Sequence, residues 1–256
     1  MRKRKRRSVY LLPNLLTSMS LFAGFYSMVA TIDGKFVHAS YAIFLSCLCD
    51  ALDGTVARKT GSASRFGVEY DSLADVVAFG VAPAILAYMW ALKGYGRFGW
   101  LAAFLYVACG ALRLARFNVQ VDSVQKKQFL GLPIPMAAMV IASTVLFFGH
   151  MDISLEIKKI FTPVLVYVLA FLMVSAVRYS STKEMSFLRT RPFEAIVAAV
   201  LLFVIVLIQP EIALFVIAFG YTISGPVLYL FRRKAAPEES RHLAPHNQNP
   251  PHSRDA

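Results

Sequence analysis

The chain is 256 residues long, 57% hydrophobic and only 16% charged, with a mean hydropathy of +0.56, which excludes an ordinary soluble domain. Its net charge of +12 sits in short segments beside apolar runs rather than on a folded basic domain, so the partner it implies is anionic lipid and not nucleic acid. The three cysteines, Cys47, Cys49 and Cys109, all fall inside apolar runs, where they read as small apolar residues and imply no disulfide framework.

In chain order, the basic start MRKRKRR is followed by an apolar run over about 10–31 with no small-residue cleavage site before it, which reads as an uncleaved first helix. Further runs follow at about 36–57, 70–92, 98–118, 133–150, 160–177, 192–208 and 210–231. Each is long enough to cross a hydrocarbon core of about 30 Å at 1.5 Å per residue. The expected fold is therefore an all-α, polytopic integral membrane bundle of about eight transmembrane helices. Three parts are expected: a basic N-terminus over 1–9, a membrane domain over 10–231, and a polar, proline-rich, disordered tail over 232–256. With the N-terminus inside, 22 of the 27 basic residues fall on the cytoplasmic side, so both termini are expected there.

Only 15 residues are acidic, and five of them, Asp50, Asp53, Glu69, Asp71 and Asp75, fall within one short window. Asp50 and Asp53 share a face near the cytoplasmic end of the second span. Asp71 and Asp75 share one at the start of the third. A short loop between the two helices lets all four aspartates converge below the cytoplasmic surface. Four uncompensated aspartates at membrane depth cost about 10 to 14 kcal/mol, so cations must balance them. Arg58 can serve one carboxylate. Two divalent ions suit the oxygen-only donor set, with Mg²⁺ or Mn²⁺ favoured over zinc, and such paired ions usually hold a phosphate or pyrophosphate. Gly54 and Ala57 beside the first pair, and Gly67 one turn before Asp71, leave room for a wide ligand.

The pattern Asp50-x2-Asp53-Gly54-x2-Ala57-Arg58-x8-Gly67-x3-Asp71-x3-Asp75 resembles, at all eight fixed positions, the signature of the CDP-alcohol phosphotransferases. That resemblance implies a six-helix catalytic core that moves a phosphatidyl or similar group from a CDP-linked donor to an alcohol and releases CMP. Carried over by position, it implies Asp50, Asp53 and Asp71 as ligands of one metal and Asp50, Asp71 and Asp75 as ligands of a second. It also implies Asp75 as the base that takes the hydroxyl proton, although spacing alone does not choose Asp75 over Asp71. Gly54, Arg58 and Ser64 correspond to contacts with the CDP portion. Asn14 and Thr17 in PNLLT can hydrogen-bond a cytosine ring, and the family's similarly placed motif contacts the nucleotide.

GALRLARFN, with Arg113 and Arg116 on one face at the cytoplasmic end of the fourth span, and FLGLPIP resemble the phosphatidylserine synthase branch. On that resemblance the donor is CDP-diacylglycerol, the acceptor L-serine, and the two arginines anchor the serine carboxylate. A phosphate-bearing acceptor would also want arginines, so glycerol 3-phosphate and inositol phosphate stay open. Arg178 and Lys183 reach either the acceptor or headgroups, and Gly80 with Pro83 is expected to bend the third span. Homodimers are common in the family, and a site opening to the cytoplasm from the cell membrane is expected. A cation transporter is disfavoured because Arg58 stands in the cluster and no inverted repeat follows. A prenyltransferase would carry a second acidic cluster in later helices. The last two spans offer no signal that converts into chemistry.

Overall fold

The computed structural model describes residues 2–60, 64–121, 131–177, 179 and 192–235. Arg178, Lys183 and residues 236–256 of the expected tail lie outside the described residues. Eight helical rods follow one another, and no strand occurs among the described residues: α1 (Arg2–Ile32), α2 (Phe36–Thr60), α3 (Arg65–Tyr95), α4 (Arg97–Val121), α5 (Ile134–His150), α6 (Leu155–Val174), α7 (Pro192–Ile208) and α8 (Pro210–Ala235). The eight rods agree with the eight apolar runs. Six of them, α1 to α4, α6 and α8, have segments long and apolar enough to cross a membrane. At 17 residues each, α5 and α7 are shorter. The chain is a multi-pass helical membrane protein.

The core lies between α3, α4, α5 and α6, where Phe79, Leu86, Tyr106, Ile134, Val140, Val166 and Leu169 are fully buried. Most of α5 is buried, so it runs through the middle of the bundle. Around it, the bundle exposes large apolar side chains such as Phe22, Phe104 and Phe171, as helices bathed in lipid do. α1 and α2 form the most extensive pair, α4 packs on α6, and α8 packs on α5.

Two boundaries differ from the apolar pattern for local reasons. α3 begins at Arg65, five residues before the run at 70, because Ser64 caps it: its Oγ accepts from the Gly67 N–H at 3.0 Å. Asp71 therefore sits in the second turn and not at the helix start. α6 ends at Val174, and the strand-like entry to α5 binds its exit: Gly131 N–H donates to Val177 O at 2.8 Å and Leu132 N–H to Leu172 O at 3.0 Å. Gly131 has φ +82°, and a β-carbon there would run into the Met173 carbonyl, so only glycine fits this crossing.

The expected bend at Gly80 and Pro83 takes another form. Past Asp75, α3 widens into π-helical turns at Val76–Val81 and again at Tyr88–Leu92, with an α segment Ala82–Ala87 between them. Pro83 has no N–H for the Phe79 carbonyl four residues back. The fully buried Tyr106 hydroxyl donates to that carbonyl instead, at 3.1 Å. At the same level α3 comes close to α1, where a β-carbon on Gly24 would lie 2.6 Å from Ala78 Cα.

Candidate functional site

The site is built where α1, α2 and the first turns of α3 meet. Asp50 and Asp53 leave one face of α2, and Asp71 and Asp75 leave one face of α3. Carboxylate oxygens of Asp50, Asp53 and Asp71 lie within 4.8 Å of one another. Asp75 sits one turn deeper in contact with Asp50. Glu69, the fifth acid of the window, is exposed on the other side of α3. Three hard carboxylate donors at this spacing fit a divalent cation of the Mg²⁺ or Mn²⁺ type, and no soft ligand is among them.

A cavity of about 160 Å³ opens beside this cluster. Its walls are Pro13, Asn14 and Thr17 from α1, Asp53, Gly54 and Ala57 from α2, and Ser64, Gly67, Val68 and Asp71 at the start of α3. Six of the seven residues expected to hold the CDP-linked donor thus share one wall system: Asn14, Thr17, Gly54, Ala57, Ser64 and Gly67. The reason for Gly67 is visible here, since a β-carbon would stand 3.2 Å from both Asn14 Oδ1 and Ser64 Oγ and would narrow the space.

Arg58, the seventh, is exposed and folds back along α2: its Nη2 donates to Thr55 Oγ1 at 3.2 Å, and its guanidinium covers Gly54. Among the described residues it forms no ion pair with an aspartate, although Asp50 and Asp53 are within its electrostatic reach.

Thr17 has a second place in the site. Its Oγ1 donates to Asp53 Oδ2 at 2.8 Å, and both residues are 4% exposed. The hydroxyl fixes the one aspartate that is fully buried. The seam continues inward through Ser20 and Ser46, whose hydroxyls lie 2.8 Å apart, and outward through Ser18 and Tyr70, also 2.8 Å apart. Asn118 Nδ2 donates to Ser72 Oγ at 2.9 Å and ties the end of α4 to the aspartate-bearing turns of α3. Sequence reasoning missed this seam. Its signal was the serine and threonine content of α1 at helical spacing, which only the α2 register converts into partners.

Arg113 and Arg116 part company. Arg113 is half-buried with Asp75 in electrostatic reach, whereas Arg116, three residues on, is exposed. Cys47, one turn before Asp50, lies beside Asp50 and Asp75, and all three cysteines are free. Tyr221 of α8 approaches Arg113. Nothing in the apolar α8 sequence pointed to a residue at the site.

Comparison with known proteins places these features in context. The sequence profile described as CDP-alcohol phosphatidyltransferase matches residues 10–174, which run from within α1 to the end of α6 and include every aspartate of the cluster. The CDP-diacylglycerol--serine O-phosphatidyltransferase of Helicobacter pylori is 37% identical over 224 residues, covering 87% of this chain and 92% of the relative. The archaetidylserine synthase of Methanothermobacter thermautotrophicus is 40% identical over 181 residues, 70% of this chain and 73% of the relative. The CDP-diacylglycerol--serine O-phosphatidyltransferase of Bacillus subtilis is 34% identical over 173 residues, 68% of this chain and 92% of the relative.

Proposed function

The chain belongs to the CDP-alcohol phosphatidyltransferase family, and on that premise we propose that it transfers the phosphatidyl group of CDP-diacylglycerol to the hydroxyl of L-serine, releasing CMP. The observation that carries this reading is the cavity between α1, α2 and α3, in which six residues expected to hold the donor stand beside three clustered carboxylates. The names of the relatives support serine as the acceptor.

Asp50, Asp53, Asp71 and Asp75 would hold two divalent cations, Mg²⁺ or Mn²⁺, which when bound neutralise the donor pyrophosphate and the charge that grows on departing CMP. The protein's own groups do the rest. The wall from Asn14 to Gly67 takes the cytidine end, and Arg58 adds a positive charge at the mouth. The serine hydroxyl oxygen forms a bond to the phosphatidyl phosphorus while the bond from that phosphorus to the bridging oxygen of CMP breaks. Asp75, beneath the cluster and nearest Arg113, takes the hydroxyl proton. Arg113 faces the acceptor carboxylate from the side of Asp75. Arg116, exposed three residues on, is the second arginine for that carboxylate. The site opens to the cytoplasm from the cell membrane, with anionic lipid at the basic segments, and the protein works as a homodimer.

The test is CMP release from CDP-diacylglycerol by the purified protein with Mg²⁺ or Mn²⁺, across L-serine, glycerol 3-phosphate, inositol and inositol phosphate. Release stimulated by L-serine alone is expected. Release with another alcohol overturns the acceptor, and no release with any of them overturns the transferase reading.

A further inference from the structure

α8 lies beyond the residues matched by the family profile, yet its Tyr221 is within electrostatic reach of Arg113. Arg113 Nε is fully enclosed and has no hydrogen-bond partner, one of two such buried side-chain atoms among the described residues, the other being Ser27 Oγ. A guanidinium N–H enclosed in a membrane bundle without an acceptor is costly, and the cost is removed when an anion accepts from it. The groups in electrostatic reach of this guanidinium are Asp75 and Tyr221. No hydrogen bond occupies the Tyr221 hydroxyl among the described residues.

Tyr221 is held by a built support. Its ring stacks on Tyr179 with centroids 5.6 Å apart and planes 26° apart. Tyr179 is 5% exposed, and its hydroxyl donates to Thr222 O at 3.1 Å. The Tyr179 ring fills the notch at Gly225, where any β-carbon would collide with it. Two tyrosines, a glycine and a backbone carbonyl thus fix one phenol within electrostatic reach of a guanidinium whose Nε lacks an acceptor. A purely packing role would put an apolar ring here, because a free hydroxyl in this setting stabilises nothing.

We propose that Tyr221 is a specificity-determining residue, which with Arg113 forms a two-donor receptor for the carboxylate of the acceptor, while Tyr179 positions it. This rests on the reading of L-serine as acceptor and extends the site to the last helix. An acceptor with a carboxylate two bonds from the hydroxyl-bearing carbon places its hydroxyl toward Asp75 when the carboxylate meets Arg113 and Tyr221. An acceptor without that carboxylate leaves both donors unmet, which is the basis of rejection.

The experiment compares L-serine with serinol, which replaces the carboxylate by a hydroxymethyl group, using the full chain in detergent with CDP-diacylglycerol and Mg²⁺. The unsubstituted protein is expected to prefer L-serine in kcat/KM. Tyr221→Phe keeps the ring and its stack and is expected to lower the L-serine to serinol ratio about tenfold, through KM for serine and with the KM for CDP-diacylglycerol unchanged. Tyr179→Phe is expected to shift the ratio less. Tyr221→Met is a second variant without a donor, and either folded variant that keeps the original ratio overturns the proposal. A loss of kcat with equal changes for both acceptors also overturns it, since that is the signature of a structural role. If the unsubstituted protein shows no serine-stimulated CMP release, the acceptor reading itself falls, a result distinct from an unchanged ratio in an enzyme that uses serine.

Discussion

The two ends of the chain bury their surfaces by different means. α1, α2 and the start of α3 are joined by hydroxyls and carboxylates, in the sequence Ser18–Tyr70, Thr17–Asp53 and Ser20–Ser46. α8 is joined to α5 and α6 by rings: Phe215 stacks on Phe147 of α5 at 4.3 Å, Phe161 of α6 meets Phe219 at 6.2 Å, and within α8 Phe219 lies tilted against Phe215 at 4.2 Å. A hydrogen bond in an apolar interior needs two particular groups at one register, and loss of either leaves the other unmet. Ring contacts tolerate exchange of one apolar side chain for another at modest cost. The first end is therefore brittle and carries chemistry, while the second is tolerant except where Tyr221 and Tyr179 interrupt the pattern.

The contrast breaks most sharply at the carboxylates. Asp71→Asn or Asp50→Asn is expected to lower kcat at least 10²- to 10³-fold in the CMP-release assay, and chelation of divalent cations should do the same to the unsubstituted protein, reversibly on adding Mg²⁺. Retained turnover in either variant would remove that residue from the metal site.

Thr17→Val tests the seam without touching a ligand. Losing the donor to Asp53 is expected to raise the Mg²⁺ concentration for half-maximal activity roughly 10- to 100-fold, with kcat largely recovered at saturating metal. An unchanged metal requirement would show that Thr17 serves the nucleotide alone.

Gly67→Ala sharpens the picture of the cavity wall. The added methyl meets Asn14 and Ser64, so the KM for CDP-diacylglycerol should rise several-fold, to about tenfold, without a change in thermal stability. Gly220→Ala in α8, where a β-carbon meets nothing within 4 Å, is the matched control and should change neither.

The smallest effect is expected in the aromatic cluster. Phe215→Leu should cost about 0.5 to 1.5 kcal/mol of stability in a detergent melt and leave kcat/KM within twofold. A large loss of activity would mean that α8 positions the site through its rings as well as through Tyr221.

Much of the site was legible because charge in a membrane span is expensive. Asp50, Asp53, Asp71 and Asp75 stand out against an apolar background, and their helical spacing on α2 and α3 already puts them on facing sides. Gly54, Ala57 and Gly67 followed from their offsets to those acids, and Asn14 from the PNLLT motif. The seam was not legible, because serine and threonine in a membrane helix bond their own backbone as readily as a neighbour: Ser18 and Thr17 do both. The different fates of Arg113 and Arg116 were not legible either, since residues three apart share a helix face but a neighbouring helix covers only part of it.

By itself the sequence determined the class of the fold, the number of helical rods among the described residues and the composition of the acidic cluster. These depend on hydrophobic length, on helical periodicity and on the insertion cost of a carboxylate, all of which act within a single helix. Only the tertiary structure decided that Thr17 serves Asp53, that Tyr106 answers the carbonyl freed by Pro83, and that α8 puts Tyr221 within electrostatic reach of Arg113. Each of those depends on the register between helices distant in the chain. That register is set by close approaches such as Gly24 on Ala78 and Tyr179 in the Gly225 notch, which no periodicity records.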